Sequence, residues 1–91
     1  KIIKKNGFLI NLKEIENKIE KNKFIKEVFC IPIKDNYYQE DYNLKIDLKK
    51  TKLSKKKIKS IVYKNLKMHL PNKIIFGKIR KNFSGKRIYN Q

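Results

Sequence analysis

Few side chains in this sequence are suited by type and spacing to catalysis or metal binding. The chain of 91 residues has one histidine, His69, and one cysteine, Cys30. Because a zinc site needs several Cys or His ligands, these two residues predict no metal site, and His69 is better explained by packing or charge compensation at a helix end. Cys30 lies in an apolar run with no evident base to activate its thiol, which indicates a small core residue.

Two further groups of polar residues have simple structural explanations. Glu14 and Glu16 are explained better by helix capping and a solvated helix face than by acid–base catalysis. Ser84-Gly85-Lys86 near the C-terminus is, taken alone, typical of a turn. No Walker-type phosphate loop is present in the sequence. These residues by themselves define no complete catalytic site.

The charge of the chain is strongly positive, with a formal net charge of +17 and a sequence pI of about 10.1. Such a charge favours a polyanionic partner. However, 23 of the 25 basic residues are lysine, whereas arginine is favoured for planar recognition of phosphates and base edges. Lysine, isoleucine and asparagine make up 48 of the 91 residues, and alanine is absent, as expected from an AT-rich coding bias. A solvated lysine surface is therefore favoured over a nucleic-acid face, with docking of a carrier protein as the other alternative.

Length and composition predict one small domain over residues 1–91. No window approaches ~18 uncharged apolar residues, so we expect no membrane partner. The lone cysteine and the lack of a signal peptide favour a cytoplasmic location. The chain begins with Lys1 rather than methionine and opens directly into strand-like sequence, so we expect a fragment of a longer polypeptide.

The first half of the sequence predicts two hairpins separated by a helix. Apolar runs on both sides of Asn6-Gly7 are typical of a hairpin with a type I′ turn. Asn11 is a predicted helix cap, with Glu14 reaching back to its amide, and the stripe of Leu12, Ile15 and Ile19 predicts a helix over 12–22. A β-rich run over 26–34 places Pro32 at a sheet edge or bulge. A polar loop over 35–41 and an alternating strand from residue 42 to residue 49 complete the second hairpin.

The second half predicts a helix, a strand and a polar tail. Ser54 is a predicted cap, and Leu53 and Ile58 are placed as a hydrophobic staple. One apolar face then continues to His69 and predicts a helix that ends before Pro71. Residues 73–79 form the last predicted strand, and 80–91 form the tail. The predicted fold class is α+β, a small mixed sheet with two helices, in the order β-hairpin-α-β-β-α-β.

Three segments carry recognisable motifs. Residues 3–16 match the pattern I-K-x-x-G-x-x-I-x-x-x-E-I-E, residues 25–33 are similar to a V-x-E-x-x-V-x-x strand, and residues 82–88 read Asn-Phe-Ser-Gly-Lys-Arg-Ile. In this order they resemble the C-terminal subdomain of adenylate-forming ligases, whose last motif is P-x-T-x-S-G-K-I-D. That superfamily includes acyl- and aryl-CoA synthetases, luciferases, peptide-synthetase adenylation domains and D-alanine carrier-protein ligases.

The resemblance implies an AMP-forming reaction. A carboxylate attacks the α-phosphate of ATP, and a phosphopantetheine thiol of CoA or a carrier protein then captures the acyl-adenylate. Lys86 would be the catalytic lysine that bridges carboxylate, ribose oxygen and α-phosphate. Lysine suits this role as a compact charge on a flexible stem, and Ser84 and Gly85 would let the loop approach a phosphate. ATP and Mg²⁺ would be bound mainly by an N-terminal lobe of the same chain, the principal expected partner.

The resemblance also implies a second role for the opening hairpin. After adenylation the subdomain would swing about a hinge just before Lys1 and present Lys4 and Gly7 to the thiol-bearing arm. A plain hairpin glycine is the alternative explanation of Gly7. Ligases that use an acidic carrier protein are favoured over those that use CoA, because the positive surface complements such a carrier.

The last motif departs from the family pattern around its core. Arg80 occupies the position of the proline, Asn82 that of the threonine, and Arg87 precedes Ile88 where the isoleucine usually comes first. Pro71 fits the second of two prolines that the family has before the last strand, with Lys67 near the first, so we expect a remodelled loop. Two alternatives remain: a noncatalytic domain of the same fold, and a small basic RNA-binding or ribosome-associated module, although the sequence has neither an RNP-like aromatic pair nor a GXXG clamp.

Overall fold

The computed structural model describes residues 1–34 and 39–88. Its elements are five strands and two helices: β1 Ile2–Lys5, β2 Phe8–Asn11, α1 Leu12–Glu20, β3 Ile25–Lys34, β4 Glu40–Leu48, α2 Lys55–Leu66 and β5 Lys73–Phe76. This order confirms the predicted α+β class with two helices. The strands are divided between a two-stranded sheet, β1-β2, and a three-stranded mixed sheet in the order β3-β4-β5.

The N-terminal hairpin, residues 2–11, leads directly into the first helix. Asn6 and Gly7 both have positive φ, 52° and 81°, which confirms the predicted type I′ geometry. The side chain of Asn11 accepts hydrogen bonds from the first amides of α1, as its prediction as a helix cap requires. The helix ends at residue 20 rather than 22, because the backbone and the side chain of Asn22 both donate to the carbonyl of Ile19.

The mixed sheet is built on the second hairpin. β3 and β4 pair antiparallel, as predicted, and β3 is an edge strand, where Pro32 is tolerated. β4 begins at residue 40 rather than 42, because pairing of Ile33 with Asp41 and of Lys34 with Glu40 extends the ladder. Of the predicted polar loop over 35–41, residues 35–38 lie outside the described part of the chain.

The second helix is shorter than its apolar pattern suggests. Ser54 caps it by accepting a hydrogen bond from the amide of Lys57, but the helix ends at Leu66. Lys67 and His69 both have positive φ, 59° and 60°, which a right-handed helix does not allow. The prediction that His69 lies at the end of this helix is therefore wrong. Proline cannot adopt the positive φ of Lys67, so the backbone at this position differs from that of a loop with a proline there.

β5 pairs parallel with β4, and α2 makes the connection that a parallel pair requires. The strand ends at Phe76 rather than Ile79. Beyond it, the amide of Gly77 still donates to the carbonyl of Ile46. Ile79 packs with Phe29 and Ile31 on one face of the sheet, which explains its apolar signal without a longer strand.

The main core lies on the other face of the sheet and is shared by the hairpin, both helices and all three strands. Its fully buried members include Ile3, Ile19, Leu44 and Ile58. The hairpin, the two helices and the three-stranded sheet therefore form a common body. Neither helix in the described residues is long and apolar enough to cross a membrane.

Candidate functional site

The terminal loop, residues 80–88, presents Lys86 on a small hairpin of its own. Lys81 and Arg87 form an isolated antiparallel bridge, and the amide of Ile88 donates to the carbonyl of Arg80 at 3.0 Å. Gly85 has a φ of 81°, so the turn uses the conformation that glycine adopts without strain. Lys86 is exposed beside this turn.

Asn82 organises the loop from within. Its side-chain oxygen accepts hydrogen bonds from the amides of Ser84 and Lys86 at 3.0 and 2.9 Å. Its backbone accepts from the amide of Gly85 and donates to the carbonyl of Lys86. Asparagine suits this position because its short side chain readily satisfies nearby backbone amides in turns. With Asn82 in place of the threonine of the motif, Lys86 therefore still lies in an ordered turn.

Arg87 ties the loop to α1 and β3. One guanidinium nitrogen lies 3.2 Å from a carboxylate oxygen of Glu16. The other lies 3.7 Å from Glu20 and 3.3 Å from Glu27. The guanidinium carbon is 5.2 Å from the ring centre of Phe29, within cation–π range. The Arg87 side chain thus joins the terminal loop to a helix, an edge strand and an aromatic ring. We call Arg87 and its four partners the anchor of the terminal loop; the partners are Glu16, Glu20, Glu27 and Phe29.

Glu16 is buried, which contradicts its expected place on a solvated helix face. One of its oxygens accepts a hydrogen bond of 2.8 Å from the backbone amide of Cys30, and the other faces Arg87. A buried carboxylate needs such partners, because burial without them is costly. Cys30 is a buried core residue, and burial, followed by the negative charge of Glu16, raises the pKa of its thiol.

Two residues of this anchor could have been recognised from the sequence. Glu16 lies four residues after Leu12 and three before Ile19, on the apolar stripe of α1, where a carboxylate is unexpected. Arg87 is one of two arginines among the 25 basic residues, and arginine is the residue suited to paired carboxylates. Both signals are visible in the sequence, but neither indicates that the two side chains meet.

Lys4 and Gly7 lie on the N-terminal hairpin, away from the anchor of the terminal loop. Lys4 is exposed, and its backbone amide donates to the carboxylate of Glu40 at 3.0 Å. A Cβ atom added at Gly7 would meet no described atom within 4 Å. Within this chain, the positive φ is thus a sufficient reason for glycine at position 7. If a side chain at this position were crowded, the contacting atoms would have to belong to a partner surface.

The hairpin is fixed by one ion pair and by contacts with the segment before β5. The ammonium of Lys5 lies 2.8 Å from Asp41 and donates to the carbonyl of Leu70. The ring of His69 packs against Phe8 with centroids 5.4 Å apart, and its carbonyl accepts a hydrogen bond from the Tyr42 hydroxyl. His69 therefore serves packing, but against the hairpin rather than at a helix end.

Exposed apolar side chains surround the hairpin turn and the segment before β5. They include Phe8, Leu9 and Met68, which are between 56% and 74% exposed. A cavity of about 360 Å³ lies between the hairpin and this segment. The surface is apolar and open, whereas the terminal loop is polar and ion-paired.

The two regions make ion pairs with different parts of the β3–β4 hairpin. Lys5 of the hairpin pairs with Asp41, and Arg87 of the terminal loop pairs with Glu27, whose neighbour across the ladder is Asp47. Asp41 and Asp47 are six residues apart on β4, so at ~3.3 Å per residue the pairing positions of Asp41 and Glu27 are roughly 20 Å apart along the hairpin. The structure therefore does not bring Lys86 together with Lys4 and Gly7.

Within residues 1–34 and 39–88, no group of three or more His, Cys, Asp or Glu side chains is arranged to hold a metal ion. The three glutamates around Arg87 are engaged by that guanidinium. The described residues therefore offer no coordination site of their own for a divalent cation.

Comparison with known proteins finds similarity in structure rather than in sequence. No protein-family model matches the sequence, and no curated protein matches it. An acyl-CoA synthetase from Brucella canis has a TM-score of 0.81 and 18% identity, over 96% of this chain and 17% of that one. A fatty acyl CoA synthetase from Mycobacterium tuberculosis has a TM-score of 0.72 and 25% identity, over 96% of this chain and 18% of that one.

The amide bond synthetase McbA from Marinactinospora thermotolerans is similar as well, with a TM-score of 0.74 and 15% identity over 94% of this chain and 18% of that one. This chain spans less than a fifth of the length of each of these three enzymes. In each case nearly all of this chain is superposed on a small part of a larger enzyme. The chain therefore has the fold of the C-terminal lobe of adenylate-forming ligases.

Proposed function

We propose that this chain is the C-terminal lobe of an AMP-forming ligase that activates a carboxylic acid as an acyl-adenylate and transfers it to a thiol. The observation that carries this proposal is the placement of Lys86 in an ordered, anchored and exposed loop on this fold. The lobe would work together with an N-terminal lobe of the same chain and would be inactive alone.

Lys86 is the adenylation lysine in this proposal. The reaction brings a carboxylate and the α-phosphate of ATP together, and a positioned ammonium stabilises the charge that develops between them. Among the described residues, the ammonium of Lys86 has no ion-pair partner, whereas that of Lys81 lies 3.2 Å from Glu27. Lys86 therefore has its charge available for a ligand. Phe83, fully exposed at the tip of the loop, would be covered when the loop enters a partner surface.

ATP and Mg²⁺ would be held mainly by the N-terminal lobe. When bound, Mg²⁺ would neutralise phosphate charge. Ser84 and Gly85 would let the backbone of the loop approach the nucleotide, because neither carries a bulky side chain.

The N-terminal hairpin would serve the second half-reaction. Lys4 is exposed and Gly7 lies at the turn, where a slender phosphopantetheine arm could pass close to the backbone. The acceptor would be a carrier protein or CoA. The net charge of +17 favours an acidic carrier protein, because opposite surface charges accelerate and orient association.

The test is Lys86→Ala in the full-length protein, with two half-reactions measured separately. Acid-dependent exchange of pyrophosphate into ATP reports adenylation, and capture of a supplied acyl-adenylate by CoA or carrier thiol reports transfer. We expect exchange to fall by about a hundred- to a thousandfold, the usual effect of removing one preorganised charge donor. Capture should be spared.

Lys56→Ala is the matched control, because it removes an exposed lysine on α2, far along the chain from the loop. It should leave both half-reactions unchanged. Unchanged exchange in Lys86→Ala would refute the assignment of Lys86. Comparison of CoA with an acidic carrier protein in the capture assay would identify the acceptor.

A further inference from the structure

We propose that Arg87 is a positioning residue, which holds the backbone of Lys86 where its ammonium can serve adenylation. This inference rests on the proposed function of Lys86. Arg87 itself is turned away from solvent, toward α1 and β3, with a side-chain exposure of 24%. It therefore acts through its neighbour rather than on a substrate.

The anchor joins Arg87 of the terminal loop to residues of two other elements. Glu16 and Glu20 come from α1, and Glu27 and Phe29 come from β3. The guanidinium lies between these carboxylates and above the aromatic ring. This arrangement suits arginine, because its planar fork reaches several carboxylates at once and stacks on a ring, whereas lysine offers a single point charge.

Glu16 makes this anchor rigid. Its carboxylate is 8% exposed and bonded at the same time to Arg87 and to the amide of Cys30, on an edge of β3 that no other strand pairs with in the described sheet. A buried group held on both sides cannot follow a moving partner without losing a bond. Through Glu16, Arg87 is therefore tied to the core.

Lys86 is held on both sides by this arrangement. Its amide donates to the side chain of Asn82 within the loop, and the next residue is fixed at the anchor. The flexible part of Lys86 is thus its side chain alone. A displacement of about 1 Å in a reacting group can slow a reaction by roughly a hundredfold, so loss of the anchor should be visible in the adenylation rate.

The experiment compares Arg87→Met with Arg87→Lys in the full-length protein. Methionine keeps much of the length of the arginine side chain and its contact with Phe29 but removes the positive charge. We expect Arg87→Met to lower the kcat of pyrophosphate exchange by about ten- to a hundredfold with little change in the KM for ATP. Arg87→Lys should recover part of the rate. Capture of a supplied acyl-adenylate should be unchanged in both variants. Lys26→Met, which removes an exposed charge on β3, is the control.

Two further measurements separate positioning from general stability. In the double variant Lys86→Ala with Arg87→Met, exchange should be no slower than in Lys86→Ala alone, because Arg87 acts only through Lys86. Amide hydrogen exchange of the full-length protein should become faster in residues 82–88 of Arg87→Met, with β4 remaining protected.

The inference is overturned if Arg87→Met lowers pyrophosphate exchange and thiol capture equally. It is also overturned if the rate losses of Lys86→Ala and Arg87→Met multiply in the double variant, or if the amides of residues 82–88 stay protected from hydrogen exchange in Arg87→Met. These outcomes differ from failure of the proposed function. If Lys86→Ala leaves pyrophosphate exchange unchanged, the role of Lys86 is wrong, whereas the amide measurement still decides whether Arg87 orders the loop.

Discussion

The terminal loop and the N-terminal hairpin are similar turns that are held by different forces. Each contains a glycine with a φ of 81°, and each is tied to the β3–β4 hairpin by an ion pair. The terminal loop depends on ion pairs, those of Arg87 with three glutamates and that of Lys81 with Glu27, whereas the hairpin buries Ile3 and Ile10 in the main core. The loop is therefore positioned mainly by charge and the hairpin mainly by apolar packing.

This difference bears on the two proposed half-reactions. A loop that carries a catalytic cation must hold one side chain at one place, which directional ion pairs do well. A hairpin that lines a passage for a thiol arm must keep its backbone open, and Gly7 has no described atom near the position of a Cβ. Because the two regions share no ion-pair partner, substitutions in one should leave the other intact.

The largest expected effect on stability concerns the two anchors themselves. Glu16→Ala would leave the Cys30 amide and Arg87 without their buried partner and should lower the free energy of unfolding by about 3 kcal/mol. Asp41→Ala removes a partly exposed partner of Lys5 and should cost at most about 1 kcal/mol. Urea denaturation of the two variants measures the difference. Asn17→Ala, at an exposed position in the middle of α1, is the control, and equal losses in Glu16→Ala and Asp41→Ala would contradict the comparison.

The two glycines form a matched pair with a smaller expected effect. Valine at φ of 81° is strained by about 2 kcal/mol, and neither Gly7 nor Gly85 has a described neighbour that a Cβ would meet. The backbone cost of Gly7→Val and Gly85→Val should therefore be equal. We expect Gly85→Val to slow pyrophosphate exchange by up to about 30-fold and Gly7→Val to slow thiol capture by a similar factor. If both variants impair the same half-reaction, the division between the regions is wrong.

Much of the fold could be predicted because local signals decide it. The Asn6-Gly7 turn and the caps Asn11 and Ser54 depend on a few neighbouring residues, and all three are confirmed. The end of α2 could not be predicted in the same way. The apolar face continues past Leu66, and only the positive φ of Lys67, which the sequence does not show, ends the helix.

The candidate site was predictable only in part. The motif around Lys86 identifies the exposed cation, but the pairing of Arg87 with Glu16 joins residues that are distant in sequence and meet only after folding. A charged residue on an apolar stripe is a signal that a partner exists, but the partner's identity depends on the packing of α1 against β3. For this reason the solvated role expected for Glu16 was wrong.

One expected effect is absent at neutral pH and develops only in alkali: a fall of stability, with one contributing group near each anchor. Burial, and then Glu16, raises the pKa of Cys30, and burial, then Cys30 and Asp41, raises the pKa of Tyr42. Above the ordinary thiol pKa of about 8.5, the unfolded chain ionises while the folded chain keeps its proton. The unfolded state then binds fewer protons, so the free energy of unfolding falls by up to about 1.4 kcal/mol per pH unit for each group.

Cys30→Ala should reduce this slope from about pH 8.5, and Tyr42→Phe should reduce it only from about pH 10, where the phenol ionises. Unfolding in urea at a series of pH values between 7 and 11 measures both slopes. An alkaline slope that is the same in Cys30→Ala as in the parent protein would contradict the protonated, buried thiol.

The most direct measurement of the role of Lys86 is the ratio of pyrophosphate exchange to thiol capture in the Lys86→Ala variant of the full-length protein, divided by the same ratio in the parent. If the Lys86 ammonium serves adenylation and not thiol capture, the ratio falls by about a hundred- to a thousandfold. A ratio that stays at one, whether both rates are kept or both are lost together, would contradict a lobe that uses its two ends for two different half-reactions.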